Sequence, residues 1–272
     1  MTERSYPLLR SCRLVLTVMV FFGVYHLMAL RFNLSMALVC MTNDPTEQVG
    51  NAENKTESGG NFDQCPSDIK YNNTEVLIES VRREFTWSKT YQGNLLSSFF
   101  YGYIVTQVVG GYFSDRFGGK TVFLVGMVTL SGTTLLIPVL ARLSPNLVII
   151  VRVLQGLASG LSFPSLYNLF SSWTDPGERA TLMSMAYAGI PTATVATFPL
   201  TSWLCHSGLD GGWPMAFYVP GTTGLIWCLL FYILIYSTPE DHPRISKGEL
   251  EYLKRKEKPK KQDMKVIKRT RM

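Results

Sequence analysis

The chain has 272 residues, of which 46% are hydrophobic and 17% charged, and its formal net charge is +6. This composition restricts it to one large soluble domain or a membrane bundle. The distribution of the charges favours the bundle, because the apolar residues form blocks of roughly 20 or more, which can cross a hydrocarbon layer of about 30 Å.

The apolar blocks predict an all-α membrane protein with six transmembrane helices. We place these spans at residues 14–41, 91–113, 121–140, 147–170, 182–204 and 215–236. Arg4, Arg10 and Arg13 precede the first block, as basic residues do in a signal peptide. The block is much longer than the apolar core of about 7 to 15 residues in such a peptide, so we interpret it as a retained anchor helix.

Lysine and arginine residues predict the orientation of the spans. If the spans alternate in direction, eighteen of the 26 basic residues lie on one side, in both terminal segments and in the loops 114–120 and 171–181. The positive-inside rule makes that side cytoplasmic. The predicted domains are a cytoplasmic N-terminus at 1–13, a transmembrane half-bundle at 14–236 with an outer loop at 42–90, and a basic cytoplasmic tail at 237–272.

The outer loop 42–90 is polar and acidic, and it contains two segments with the form of N-glycosylation acceptors. These are Asn54-Lys-Thr and Asn72-Asn-Thr. Such asparagines are modified only on a luminal or extracellular face, which agrees with the predicted orientation.

The five cysteines fit no metal-binding spacing. Cys40, Cys65 and Cys205 fall at or beyond the outer boundary of the spans. One outer disulfide is therefore compatible with the sequence, but the pairing is not assigned, and unpaired thiols are an equally open interpretation.

Ionisable side chains inside the spans are few: they are His26, Arg31 and Arg152, and the spans contain no carboxylate. A charge within lipid is costly, so a buried arginine without an acidic partner must face water, another segment or an anionic ligand. Arg31 lies about 17 residues along an outward-running helix and Arg152 about 5 residues into an inward-running one, which places both in the outer half of the bilayer.

We expect the two guanidinium groups to face one cavity and to bind a carboxylate or phosphate, because a guanidinium is planar and permanently charged. The alternative for Arg152 is snorkelling to the outer interface, close to its helix end. His26 is more often a packing residue than a proton carrier.

Two cytoplasmic turns carry paired charges that predict a conformational latch. Asp115 and Arg116 follow the second span, and Glu178 and Arg179 follow the fourth. Each pair can form charge-assisted hydrogen bonds to a neighbouring helix end, although a solvated charged turn is the alternative. Small residues within the spans predict close helix packing, at Gly102, Gly110, Gly111, Gly156, Gly160 and Gly189.

Several of these segments together resemble one transporter family. The turn Gly111–Lys120 resembles the signature loop of the major facilitator superfamily, and Arg152–Gly160 resembles its fourth-helix motif. Finer matches resemble the anion transporter family that comprises sialin, the vesicular glutamate transporters and the sodium–phosphate cotransporters; they are Ala29–Ser35, Ser98–Ile104, Ala186–Gly189 and Asp241–Ser246.

The resemblance implies a fold of two six-helix halves, of which this chain is the N-terminal half, built from two inverted three-helix repeats. It also implies an anion path lined by the first, second, fourth and fifth helices, and alternating access coupled to Na⁺ or H⁺. The substrate-binding residues implied by the resemblance are Arg31, Asn33, Tyr101, Arg152 and Gln155.

The chain departs from the family pattern at three positions. Sialin-like and glutamate-transporting members have acidic residues in the fourth helix where this chain has Gln155 and Ser159, which argues against proton-driven sialic acid transport. Leu96 stands where the glutamate transporters have a histidine, which argues against glutamate. The chain ends after six predicted spans, so we expect a truncated transporter, with a basic tail that is a disordered linker or binds anionic lipid headgroups.

The predicted function is secondary active transport of organic or inorganic anions, such as phosphate or a carboxylate. The alternative is a non-transporting half that binds or regulates full-length transporters. No span carries an acid–base pair or a nucleophile elbow, so an enzyme is not expected, and no catalytic residue, metal or cofactor is predicted beyond the coupling ion. The expected partners are a small anionic solute, the bilayer of the plasma or an endolysosomal membrane, and a C-terminal six-helix half, but no nucleic acid.

Overall fold

The computed structural model describes residues 11–42, 84–206 and 212–254. These residues form eight main α-helices: α1 (Cys12–Met41), α2 (Lys89–Phe117), α3 (Gly119–Leu143), α4 (Pro145–Gly160), α5 (Ser162–Trp173), α6 (Pro176–Tyr187), α7 (Gly189–His206) and α8 (Met215–Leu234). A 3₁₀ turn at Pro239–Asp241 and a helical segment over 247–254 follow. The described part of the chain contains no β-strand, so the predicted all-α class is confirmed.

The eight helices form six rods, because α4 and α5 are separated only at Leu161, and α6 and α7 only at Ala188. Within the described ranges, four stretches are long and apolar enough to cross a membrane: Cys12–Met41, Gly119–Leu143, Pro145–Trp173 and Met215–Leu234. The rod formed by α2, and the rod formed by α6 and α7, do not meet the same criterion of length, hydropathy and charge content. The chain is therefore a multi-pass membrane protein by composition, whereas the exact count of six spans stays a prediction.

Local chemistry explains where the rods begin and end. Ser88 caps α2, and its hydroxyl accepts a hydrogen bond from the Tyr91 amide at 3.3 Å. Asp175 caps α6 in the same way, with Pro176 at the first helical position. Gly118 joins α2 to α3 with a φ of 84°, a left-handed conformation that glycine adopts without a steric penalty.

Helices α2 and α4 pack backbone against backbone, and glycines permit this close contact. A Cβ atom on Gly102 would collide with the Val153 carbonyl oxygen of α4, and one on Gly156 would collide with the Phe99 carbonyl oxygen of α2. Small residues allow such an approach in lipid, where apolar collapse supplies no helix-to-helix attraction. Gly111 differs, because within the described residues a Cβ at this position would meet nothing.

Buried apolar side chains form two clusters, one towards each end of the bundle. The inner cluster lies at the end where α1 begins and includes Leu16, Val20, Phe123, Leu169, Trp173 and Phe231. The outer cluster lies at the end where α1 finishes and includes Leu38, Met41, Ile137, Val148, Trp213 and Phe217. The level between the clusters is where buried polar side chains concentrate.

A disulfide joins Cys40 at the end of α1 to Cys205 at the end of α7, with their Cα atoms 6.2 Å apart. Of the two interpretations that the sequence left open, the structure therefore supports an outer disulfide. Cys65 lies outside the described residues, and Cys12 and Cys228 are free thiols.

The first part of the predicted tail packs beneath the bundle. The Glu249 carboxylate accepts hydrogen bonds from the backbone amides of Cys12 and Arg13, at 3.2 and 3.4 Å, and so satisfies the first turn of α1. The Arg13 side chain is fully buried, and its guanidinium pairs with Glu178 and with Glu249. Tyr252 places its ring against the Arg13 guanidinium and donates its hydroxyl to Glu178 at 3.1 Å.

Candidate functional site

A layer of buried polar side chains lies between the inner and outer clusters and is contributed by α1, α3, α4, α5 and α7. Its members are Asn33, Ser131, Thr134, Arg152, Gln155, Ser159, Ser162, Thr197 and Thr201. Buried polar groups in a membrane bundle are costly unless they are hydrogen-bonded or functional, so this layer is the candidate site.

Arg152 of α4 is the charged centre of the layer, and its residue is only 2% exposed. Its Nη1 donates to Gln155 Oε1 at 2.9 Å, and Gln155 Nε2 donates to Thr134 Oγ1 at 2.9 Å. Its Nη2 donates to the backbone carbonyl of Arg31 at 3.3 Å. Among the described residues, Arg152 has no carboxylate partner and its Nε has no acceptor. The position excludes snorkelling, because the side chain points into the bundle.

Arg31 of α1 is half-buried and has a different environment. Its Cζ lies 5.7 Å from the ring centroid of Phe32, 5.1 Å from Phe99, 4.9 Å from Phe100 and 5.5 Å from Tyr103. We call these four rings the aromatic collar. In the described part of the chain no side chain accepts a hydrogen bond from the guanidinium, so its N–H donors remain available to a ligand.

The two arginines lie at one depth, as predicted, but they do not face one open cavity. The Phe99 ring contacts both guanidiniums, with its centroid 5.1 Å from the Arg31 Cζ and 5.4 Å from the Arg152 Cζ. Arg152 is sealed behind α1 and α2, because close packing at Gly156 brings α4 against Phe99. Arg31 is therefore accessible and Arg152 is not, whereas the expected binding of an anion by both guanidiniums stays a prediction.

Asn33 has a structural explanation on the opposite face of α1. Pro220 lacks an amide hydrogen, so the Ala216 carbonyl one turn earlier in α8 has no helical donor. Asn33 Nδ2 donates to that carbonyl at 2.6 Å, and Thr201 Oγ1 donates to Asn33 Oδ1 at 2.8 Å. Two residues correspond to about 200° around a helix, so Asn33 points away from Arg31.

The other predicted substrate residues occupy separate positions. Gln155 is fully buried and contacts Arg152, not open space. Tyr101 is 69% exposed and makes no contact with the Arg31 guanidinium in the described chain. Their roles in substrate binding stay predictions.

His26 lines a separate cavity of about 240 Å³ between α1, α7 and α8, which Asn33 and Thr197 also line. Its Nδ1 lies 2.9 Å from the Phe22 carbonyl oxygen, and its ring stacks on Trp227. These contacts agree with a packing role for His26.

The four predicted latch residues do not contact one another. Asp115 accepts a hydrogen bond from Asn168 of α5 at 2.7 Å, and Arg116 donates to Tyr112 of its own helix at 3.3 Å. Arg179 donates to the Ser171 carbonyl at 3.2 Å. Glu178 alone joins a distant helix end, through Arg13, and the latch function stays a prediction.

Asn54 and Asn72, the predicted glycosylation sites, lie outside the described residues. Phe99, Phe100 and Tyr103 were not predicted to belong to the site. Their signal was the aromatic run Phe99–Tyr103 in the second span.

Comparisons with known proteins agree with this architecture. Residues 67–272 match the Major Facilitator Superfamily. Sialin of Homo sapiens is 37% identical over 247 residues, which cover 91% of this chain and 47% of sialin. A Drosophila melanogaster protein, named provisionally as an inorganic phosphate cotransporter, is 35% identical over 244 residues, which cover 89% of this chain and 44% of that protein.

The fold is also similar to that of a solved transporter, the proton:xylose symporter XylE bound to 6-bromo-6-deoxy-D-glucose. The TM-score is 0.57 at 16% identity, and the match covers 83% of this chain and 45% of the symporter. The chain thus spans about half the length of the relatives that it matches. It is a multi-pass membrane protein that belongs to the major facilitator superfamily, a family of transporters and not of enzymes.

Proposed function

We propose that the chain forms the anion-binding half of a secondary active transporter of organic or inorganic anions. The observation that carries this proposal is a pair of permanently charged guanidiniums at one depth of the bundle, with no carboxylate beside either among the described residues. A substrate anion would complete the charge balance that the protein leaves open.

The contacts of the two arginines suggest different tasks. Arg152 already uses Nη1 and Nη2 in hydrogen bonds to Gln155 and to the Arg31 carbonyl, so it would contribute positive potential and hold α1 in place. Arg31 keeps its donors and is half-exposed, so it would pair directly with the anion. Alternating access would then expose Arg31 to either side of the membrane as the two halves of a complete transporter rock.

The relatives support anions as the substrate class. Sialin and the Drosophila protein named provisionally for phosphate cotransport both align with about nine tenths of this chain. The coupling ion would be Na⁺ or H⁺. Gln155 and Ser159 are neutral, so any proton-carrying carboxylate would have to lie outside the described spans.

Substitution of the two arginines tests the proposal. We expect Arg31→Ala and Arg152→Ala, made in a complete transporter that contains this half, to reduce uptake of labelled phosphate or organic anion into proteoliposomes by more than tenfold. Arg152→Lys controls for misfolding, because it retains the charge in the buried site.

Arg142→Ala is the matched control, since Arg142 forms a partly exposed pair with Glu84 outside the polar layer. It should transport at nearly the wild-type rate. Membrane insertion and thermal stability are measured for each variant. Wild-type uptake by both Arg31→Ala and Arg152→Ala would refute the anion site.

A second function is favoured by the exposed apolar face of α2. This face carries Tyr101, Ile104, Val105, Val108 and Tyr112, each more than 60% exposed. Such a surface could bind a full-length transporter without transporting anything itself. Uptake by the 272-residue chain, alone or with an added C-terminal half, would favour transport, whereas binding to a full-length transporter without uptake under either condition would favour the binding role.

A further inference from the structure

The aromatic collar surrounds the accessible guanidinium of the candidate site. Phe99, Phe100 and Tyr103 come from two successive turns of α2, and Phe32 follows Arg31 on α1. All four ring centroids lie within 6 Å of the Arg31 Cζ, which is the range of a cation–π interaction. Rings hold a guanidinium without consuming its N–H donors in conventional hydrogen bonds.

The collar also determines what an anion bound to Arg31 must touch. Phe100 is 47% exposed and Tyr103 is partly buried, so both present ring surface next to the guanidinium. Arg152 is only 2% exposed whereas Arg31 is half-buried, so a ligand reaches the guanidinium of Arg31 and not that of Arg152. The site therefore offers one accessible positive charge bordered by apolar walls.

We propose that two rings of the aromatic collar, Phe100 and Tyr103, are specificity determinants. They select carboxylates with a flat apolar substituent over inorganic phosphate. This inference rests on the proposed function, because it requires that Arg31 binds the substrate anion. Phe100 and Tyr103 contact the ligand in this proposal, whereas Phe99 positions the two arginines.

Desolvation is the physical basis of the selection. Phosphate carries more than one negative charge at neutral pH and oxygens on every side, so apolar walls remove water from it without replacing the lost hydrogen bonds. A carboxylate concentrates its single charge at one end, where it can pair with one guanidinium in a bidentate geometry. A flat apolar substituent can then stack against the rings, which favours it over a small carboxylate such as acetate.

The proposal is tested by binding to the full 272-residue chain in lipid nanodiscs. Radiolabelled benzoate is the probe, and acetate and inorganic phosphate are the competitors. We expect benzoate to bind more tightly than acetate, and acetate more tightly than phosphate. Phe100→Leu and Tyr103→Leu should each reduce the ratio of benzoate to acetate affinity by between about twofold and tenfold, because Leu keeps apolar volume but cannot stack.

Two control variants separate the collar from general effects on α2. Phe113→Leu replaces an exposed aromatic residue of α2 that contacts Tyr112 and Phe117 and lies outside the collar, so it should leave the ratio unchanged. Phe100→Trp retains a stacking surface and should retain the preference for benzoate. Thermal unfolding in nanodiscs identifies any variant that fails to fold.

The outcomes distinguish this inference from the proposed function. If the wild-type chain binds no anion, or if Arg31→Gln binds benzoate as well as the wild type does, the proposed function fails. If the wild-type chain binds anions but prefers phosphate, or if the collar variants keep the wild-type ratio of benzoate to acetate, the collar inference alone is overturned.

Discussion

At the scale of single residues, the surroundings of a side chain and not its type decide its role. Arg31 and Arg152 carry the same charge at the same depth, but one keeps its donors and the other uses them in the Gln155 and Thr134 network. Asn33 lies two residues from Arg31 and satisfies a carbonyl that Pro220 leaves without a donor. Proline is tolerated within a membrane helix when a neighbouring side chain supplies this compensation.

The bond between Asn33 and the Ala216 carbonyl gives a prediction for a double-mutant cycle. Asn33→Ala should lower the free energy of unfolding in detergent by about 1–3 kcal/mol, because it leaves a buried carbonyl unsatisfied. In a Pro220→Ala background the new amide of residue 220 can supply that hydrogen bond, so the same change should cost much less. Equal costs in both backgrounds would contradict this account of Asn33.

At the scale of helices, the contact between α2 and α4 determines the geometry of the site. Gly102 and Gly156 let the two backbones approach, and this approach places the Phe99 ring against both arginines. A larger residue on either helix would move the collar relative to Arg152. The packing of α2 against α4 and the positions of the rings around Arg31 and Arg152 therefore depend on the same few residues.

We predict that Gly156→Ala destabilises the protein by about 1–3 kcal/mol, because its Cβ would collide with the Phe99 carbonyl oxygen and overpack the contact. Gly132→Ala in α3 is the matched control, since a Cβ there would meet no atom of the described chain. The control should be neutral or slightly stabilising. Thermal unfolding in detergent measures both variants, and a neutral Gly156→Ala would show that α2 and α4 are not closely packed.

At the scale of the whole molecule, residues far apart in the sequence close the bundle at both ends. Cys40 and Cys205, separated by 165 positions, are joined at the outer end. At the inner end Glu249 binds the first turn of α1 and, with Glu178, surrounds the buried Arg13 guanidinium. The segment after α8 is therefore integrated with the bundle as far as residue 254.

The buried Arg13 guanidinium and its partners Glu178, Glu249 and Tyr252 form what we call the Arg13 cluster. This cluster predicts that substitutions of two glutamates in the segment lower the free energy of unfolding by very different amounts. Glu249→Ala removes one carboxylate from a buried pair and should cost about 3–5 kcal/mol. Glu240 pairs with Lys254 at 2.9 Å on the surface, where both side chains are at least half exposed, so Glu240→Ala should cost at most about 1 kcal/mol. Denaturation in detergent measures the free energy of unfolding of both variants. Similar losses of stability in the two would mean that the Arg13 cluster does not hold the segment against the bundle.

The sequence alone predicted the membrane class, the helical rods and the depth of the two arginines. These follow from local properties: apolar runs mark helices that can lie in lipid, and residue counts with a fixed rise give depth. The superfamily was also predicted from short motifs such as Gly111–Lys120 and was confirmed by the family match. The position of a residue along its own helix can be predicted without knowing which helices pack against it.

Only the tertiary structure decided which side chains meet. The rotation of α1 in the bundle makes Arg31 face α2 and Asn33 face α7 and α8. The glycine contact of α4 with α2 buries Arg152 against Phe99. The pairing of Cys40 with Cys205 likewise depends on which helix ends are neighbours. Rotation and neighbour choice arise from packing among residues distant in the sequence, so composition and spacing along one segment do not contain them.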